Sequence, residues 1–329
     1  MIYTKTKLDT ITDVPNIQVG HFTYKDINHN TGITLLKLNN HNLFQNKLQA
    51  ATYTYNGFGK SIGFMQINEL NTLESDIVLT NTFNVGKLAN ALVERTLENN
   101  EDIGLTTSTF NSVVLECNDS NLNDIRRVIL TKEHLDIAYN NVTTTFELGS
   151  VGAGAGMVCF GYKGGIGSAS TNINIDDNVY TLGVLVNTNF GSQSDFIYSN
   201  SNIITEDKGS INIILATNAP LTPNDLRRIA KRAFLAQAQL GSYCGNGSGD
   251  IALAFSTTNI HSHYKQNQKP YIQPLHENDI SKFFKATVII TKRAILKSLL
   301  YANTTTHKTK TIKSINEYKE VVKCIKLEY

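Results

Sequence analysis

Glu206-Asp207-Lys208-Gly209-Ser210 runs directly into Ile211-Asn212-Ile213-Ile214-Leu215-Ala216-Thr217. A polar loop thus meets an apolar, β-branched run, and the pair Gly209-Ser210 sits at the junction. The run 211–217 reads as a buried strand. By itself a Gly-Ser turn ahead of a strand is ordinary. Its setting is a chain that mixes strands and helices throughout. Upstream, Val78–Thr82 reads as a strand and is followed by a helix from about Val85 to Leu97, with Val85, Leu88, Ala89, Leu92 and Val93 at helical spacing. Tyr180–Val186 is a second apolar strand. Downstream, Thr222 is a good N-cap, Pro223 suits the first helical position and Asp225 the first turn. Leu226, Ile229, Ala230, Ala233 and Phe234 make one apolar stripe, and Gly241 supplies a stop. Asp250–Ser256 reads as a strand and 278–302 as a long helix. The reading is an α/β protein.

Composition narrows the classes of function. The chain has 329 residues, enough for a sizeable core, and 41% are hydrophobic, as in a globular protein. The formal net charge of +2 is too small to point to a nucleic acid or a membrane surface. No apolar run approaches the ~18 residues that span a bilayer, and residues 1–12 show no signal-peptide core. Cys117, Cys159, Cys244 and Cys324 form no C-x-x-C pair, so zinc and dithiol chemistry gain no support and a reduced, cytoplasmic setting is expected. His261 and His263 lie in the polar stretch Asn259–Pro270, which reads as a surface loop, and the basic stretch Lys308–Lys313 reads as a solvated end. No metal and no organic cofactor is expected.

Glycines cluster in two places, 149–167 and 241–249, where backbone must turn sharply or approach closely. Familiar motifs fail there. Gly59-Lys60-Ser61 lacks the earlier glycine of a phosphate loop, since Thr54 stands in its place. Gly152-Ala153-Gly154-Ala155-Gly156 has the wrong spacing for a dinucleotide fingerprint. Neither Ser192 nor Ser248 sits in a G-x-S-x-G elbow.

What remains is an ordered series of short matches. They are Ile11-Thr12-Asp13-Val14-Pro15, Val19-Gly20-His21-Phe22-Thr23, Leu79-Thr80-Asn81-Thr82 with Val85-Gly86, and Leu122-Asn123-Asp124-Ile125. They continue with Val151–Met157, Lys163-Gly164-Gly165-Ile166-Gly167, Gly183-Val184-Leu185-Val186 with Asn189-Phe190-Gly191, Gly209-Ser210, and Gly245–Ile251 with Ala254-Phe255-Ser256. Over nearly its whole length the chain resembles the P1 family of peptidases, the family of the L-aminopeptidase D-Ala-esterase/amidase and the β-peptidyl aminopeptidases. The resemblance implies a four-layer αββα sandwich, like that of N-terminal-nucleophile hydrolases but with distinct connectivity. It implies a single peptidase domain, 1–329, that cuts itself before Ser210 into an α chain (1–209) and a β chain (210–329). The physics is coherent. A serine hydroxyl needs a base, and a serine freed at a chain start carries its own α-amine, whose pKa of about 8 suits that task.

The resemblance also assigns roles. Ser210 is the nucleophile and Gly209-Ser210 the cleavage site. Ser248 and Asp250 look like the family's Ser-x-acid pair, which holds the new amine and the nucleophile. Asn189 looks like its side-chain donor to the oxyanion, with Asn187 the competing choice two residues away. Glu116 looks like the carboxylate that binds a substrate's free amino group. Asn118 stands where some relatives have a tyrosine, which places substrate choice in question. The expected substrate is a small peptide, amide or ester, cleaved through an acyl-enzyme, and the expected assembly is a homo-oligomer, a tetramer of αβ units. Two rivals share these residues: an acyltransferase using the same acyl-enzyme, and a non-catalytic binding protein on the same fold.

Overall fold

The structure is a computed structural model and describes residues 1–38, 41–203, 206–207 and 209–328; Lys208 of the quoted loop lies outside the described residues. In chain order the strands are β1 (Tyr3–Thr4), β2 (Ile17–Lys25), β3 (Asn30–Leu38), β4 (Asn46–Gly57), β5 (Thr72–Leu73), β6 (Ile77–Asn81), β7 (Val113–Cys117), β8 (Val158–Cys159), β9 (Tyr162–Lys163), β10 (Gly165–Ile175), β11 (Asn178–Asn189), β12 (Ser210–Thr217), β13 (Gly249–Ser262), β14 (Thr305–His307) and β15 (Lys310–Ile312). The helices are α1 (Phe64–Leu70), α2 (Val85–Leu97), α3 (Lys132–Asn140), α4 (Pro223–Gln239), α5 (Ile280–Leu300) and α6 (Lys319–Glu328).

Among the described residues the main sheets are a seven-stranded one, ordered β1-β10-β11-β12-β13-β4-β5, and a four-stranded one, ordered β2-β3-β6-β7. Successive side chains of a strand point to opposite faces, and that alternation builds the layers. Ile33, Leu35, Val78 and Val114 pack against Leu88 and Leu92 of α2 and Leu135 and Ala138 of α3. Their neighbours Leu36, Ile77, Leu79, Val113 and Leu115 face the larger sheet and meet Leu185, Ile214, Leu253 and Phe255. On the far side of that sheet Val184, Val186, Ile213, Leu215, Ala252 and Ala254 pack against Ile229 and Ala233 of α4 and Ile290 and Ala294 of α5. The result is helix, sheet, sheet, helix, the αββα sandwich that the family resemblance implied. Sheets covered on both faces carry near-continuous apolar strands, which is why 180–186 and 211–217 show no polar alternation.

The strand spans expected at 78–82, 180–186 and 211–217, and the helices expected at 85–97 and after Thr222, fall on β6, β11, β12, α2 and α4. The Thr222 hydroxyl accepts the N–H of Asp225 at 3.2 Å, a cap that contributes about 1 kcal/mol. Past the end of α4, Gly241 has φ +109°, and a Cβ there would lie 1.8 Å from the Asp195 carbonyl oxygen, so only glycine fits. The loop expected at Asn259–Pro270 begins later than the sequence suggested. β13 continues to Ser262, and His261 pairs with Lys47 of β4. Register shifts between Asp250 and Ile251 and between Ser256 and Ile260 break the alternation by which a strand is read. Residues 308–313, expected as a solvated end, contribute to the β14–β15 hairpin.

Candidate active site

The site lies where the layer between the sheets runs out. On β12 and β11, two-residue steps along one face go from the apolar pair Ile214 and Leu185, through Asn212 and Asn187, to Ser210 and Asn189. The last two face each other as the terminal pair of the ladder. Ser210 is also paired with Gly249 of β13, in parallel. The nucleophile of the sequence reading is thus the first residue of a central strand, held on both sides, and 6% exposed.

The surroundings of the Gly209–Ser210 bond are specific. Ser210 Oγ donates to the Gly209 carbonyl oxygen at 2.7 Å. The Gly249 N–H donates to the same oxygen at 3.2 Å and to Ser210 Oγ at 3.4 Å. Gly209 is pressed against β11, where a Cβ would lie 2.1 Å from the Asn189 carbonyl oxygen and 2.4 Å from Phe190 Cα. A hydroxyl, a carbonyl and a fixed backbone donor therefore converge at one peptide bond.

Asn189 is held at both ends of its amide. Its Oδ1 accepts the Val158 N–H at 3.0 Å, and its Nδ2 donates to the Asn118 carbonyl oxygen at 3.0 Å. Asn187 lies one step deeper, fully buried, with neither amide atom hydrogen-bonded among the described residues. Asn118 itself is exposed, and its side chain accepts the Ser120 N–H at 3.0 Å. With Asn189, Val158, Glu206 and Lys310 it lines a cavity of about 560 Å³ that reaches Gly209. The loop carrying Asn118 is anchored from below by buried Asp119, which accepts from Thr31 at 2.6 Å and Asn123 at 2.9 Å.

Ser248 and Asp250 are joined directly: the Ser248 hydroxyl donates to Asp250 Oδ1 at 2.8 Å, and the Gln237 amide of α4 donates to the same oxygen at 3.3 Å. Asp250 shares the face of Ala252 and Ala254, so it looks toward α4, across the sheet from the Ser210 side chain. Its Oδ2 is buried with no hydrogen-bond partner among the described residues. Burial pushes its pKa up to about 6, against the lowering by Ser248 and Gln237. The Ser248 hydroxyl donates to Asp250, whereas the hydrogen-bond partners of the Ser210 hydroxyl are the Gly209 carbonyl and the Gly249 N–H.

Glu116, at the end of β7, is 3% exposed. Its Oε1 accepts the Lys60 N–H at 2.7 Å, and its Oε2 accepts the Thr82 hydroxyl. The segment that carries Lys60 also reaches the nucleophile's neighbours. The Phe58 N–H donates to the Ser248 carbonyl oxygen at 3.3 Å, and a Cβ on Gly249 would come 3.0 Å from Gly59 Cα. Glu116 and Ser210 are therefore linked through the 58–60 segment, with Glu116 on the β4–β13 side of the serine and the Asn118 cavity on the β11 side.

Three features escaped the sequence. One is the Gly249 N–H, since a backbone donor leaves no side-chain trace. Another is Lys163, fully buried, whose ammonium nitrogen donates to the carbonyls of Gly154 at 2.9 Å and Gly164 at 2.7 Å. Burial holds its pKa well below that of an ordinary lysine. It ties together the two glycine turns beside β8, the strand whose Val158 orients Asn189. The third is Asp207, buried inside the loop that read simply as polar.

Fold and site together define a variant of the N-terminal-nucleophile hydrolase fold, the description given to the L-aminopeptidase D-Ala-esterase/amidase of Ochrobactrum anthropi, which superposes with a TM-score of 0.89 at 25% identity over 98% of this chain and 95% of that one. The chain belongs to peptidase family S58, whose profile matches residues 9–312. It is 30% identical to a β-peptidyl aminopeptidase of Sphingosinicella xenopeptidilytica, over 91% of this chain and 82% of the relative. A Pyrococcus horikoshii protein of solved structure is 38% identical with a TM-score of 0.90, covering 98% of this chain and 95% of its own. The chain is accordingly an aminopeptidase-family hydrolase. No helix among the described residues is long and apolar enough to cross a membrane.

Proposed function

We propose that the chain cuts its own Gly209–Ser210 bond, leaving one domain made of an α chain (1–209) and a β chain (210–329), and then works as an N-terminal-serine aminopeptidase or amidase. The observation that carries this is the convergence of the Ser210 hydroxyl and the Gly249 N–H on the Gly209 carbonyl. In the first reaction Ser210 Oγ attacks the Gly209 carbonyl carbon, the oxyanion is held by the Gly249 N–H, and the Ser210 nitrogen leaves with a proton. Water then hydrolyses the resulting ester, giving a Gly209 carboxylate, the free hydroxyl and a free α-amine.

In the second reaction that amine takes the proton of Ser210 Oγ as the oxygen attacks a substrate carbonyl. The amide of Asn189 and the Gly249 N–H stabilise the oxyanion. The leaving amine departs protonated, and water hydrolyses the acyl-enzyme. Ser248 and Asp250 hold the new ammonium from the α4 side of the sheet. Glu116 accepts the substrate's cationic amino group, and Asn118 borders the cavity beyond Asn189 that takes the rest of a small peptide, amide or ester. The family resemblance supports a homo-oligomer of αβ units, a tetramer. The four cysteines, without a C-x-x-C pair, support a reduced, cytoplasmic setting.

The test is intact-mass measurement with a denaturing gel. The parent is expected as two fragments, the smaller beginning Ser-Ile-Asn-Ile, and Ser210→Ala as one 36.4 kDa chain. Scission of Ser210→Ala at the same bond would remove the proposal.

A further inference from the structure

Asp207 is a carboxylate buried to 3% exposure two residues before the glycine of the scissile bond. Its Oδ1 accepts the N–H of Gly191 at 3.0 Å and of Gly209 at 3.3 Å. Its Oδ2 accepts the Ser242 hydroxyl at 3.2 Å, and its own N–H donates to the Tyr243 phenol oxygen at 3.3 Å. One side chain thereby joins the end of β11, the loop after α4 and the residue about to be cut. Burying a charge in this way costs free energy that three donors offset, and an exposed position in the loop would have avoided that cost.

The geometry points to a specific use. Glycine has more backbone freedom than any other residue, so an unrestrained Gly209 would present its carbonyl to Ser210 only rarely. Here both ends of the residue are pinned. Its N–H is held by Asp207, and its C=O by the Gly249 N–H at 3.2 Å. With both fixed, φ and ψ of Gly209 are set, and the carbonyl stays beside Ser210 Oγ. Misplacement of a reacting group by about 1 Å costs up to ~100-fold in rate.

We propose that Asp207 is the positioning residue for self-cleavage. It also borders the cavity proposed for the substrate, so it matters less to turnover than to maturation, because a cut chain has no Gly209–Ser210 bond to hold. This rests on the proposed cut. Cell-free synthesis of the full chain, sampled over time on a denaturing gel, gives the first-order rate of maturation. Asp207→Ala is expected to mature about 10–100-fold more slowly. Asp207→Asn, which keeps one acceptor oxygen for the Gly209 N–H, should fall between Ala and the parent. Once cut, both variants should lose less in kcat on an amino-acid p-nitroanilide, per mole of fragment, than they lost in maturation rate. A purely structural residue would lower kcat of the cut fraction and the melting temperature of the Ser210→Ala chain along with maturation. Maturation of both variants at the parental rate, or losses of equal size in maturation and kcat, overturn the proposal. If Asp207→Ala fails to fold, Asp207→Asn decides alone. The parent lane separates the two ideas: an uncut parent defeats the proposed cut, whereas a cut parent with undelayed variants defeats only the role of Asp207.

Discussion

The Gly249 N–H stands 3.2 Å from the Gly209 carbonyl oxygen and 3.4 Å from Ser210 Oγ, so one backbone donor faces both the carbonyl of the Gly209–Ser210 bond and the serine hydroxyl beside it. The two reactions proposed for this site share that donor. In Gly249→Ala the new Cβ would sit 3.0 Å from Gly59 Cα and N, and β13 would have to move to relieve the contact. Both maturation and kcat are expected to fall together, unlike the Asp207 variants, in which maturation slows more than kcat falls. Parental rates for both steps in Gly249→Ala would remove the shared donor.

Asn189 should matter mainly in the transition state. Loss of one oxyanion donor lowers kcat by about 10²–10³-fold, and that is the expectation for Asn189→Ala measured on the cut fraction, with KM little changed. The amide is already held by Val158 and Asn118, so the proposed role would require little further ordering of the side chain. An unchanged kcat in cut protein would leave the backbone donor to act without it.

Glu116→Gln separates recognition from processing. The amide can still accept the Lys60 N–H and can donate to the Thr82 hydroxyl, so the local frame survives while the charge is lost. Normal maturation is expected, with a loss of about 1.5–3 kcal/mol in kcat/KM for substrates with a free amine, the scale of a hydrogen bond to a charged group. N-acetylated substrates should be poor for both proteins. Parental kinetics on an amino-acid p-nitroanilide would make Glu116 a strand-end anchor only.

Asp250 gives the uncut chain a definite pH dependence. Burial raises its pKa from 3.8 to about 6, so between these values the folded chain binds more protons than the unfolded one. Stability then falls as pH rises through that window. In the Ser210→Ala background, Asp76 and Asp119, also raised to about 6 by burial, add to this decline, and His21, lowered to about 4, opposes it. Adding Asp250→Asn should therefore flatten the curve of denaturant melts from pH 4 to 7 only by the share of Asp250. An unflattened curve would mean that Asp250 titrates normally. A cut as proposed would place an ammonium near Asp250, which would favour the carboxylate and work against this shift.

Legibility in the sequence followed locality. α4 could be placed because its signals lie within one helix: Thr222, Pro223, Asp225 and the stripe from Leu226 to Phe234. β12 could be placed because an apolar run follows a Gly-Ser break. Ser210, Asn189, Ser248, Asp250 and Glu116 became candidates through the family resemblance, since a lone serine or asparagine carries no pattern of its own. Asp207 stayed hidden because two of its three side-chain partners lie 16 residues before it in Gly191 and 35 after it in Ser242, and the third is the backbone N–H of Gly209, which leaves no side-chain trace. The opposite placement of Asp250 and Ser210 across the sheet was also out of reach, because it depends on the Ser210–Gly249 register.

The order of the larger sheet carries one more consequence. β12 and β13 are neighbours, and β11 flanks them on one side while β4 flanks them on the other. A cut at Gly209–Ser210 would therefore make a two-chain protein in which the short chain is woven into the middle of a sheet whose both edges belong to the long one. Separating the chains means unzipping the eight residue pairs from Leu182–Thr217 to Asn189–Ser210 on one side and the ladder from Gly249 to Ser262 on the other. Scission would then leave no loose subunit to diffuse away, and only conditions that melt the whole domain would part the pieces.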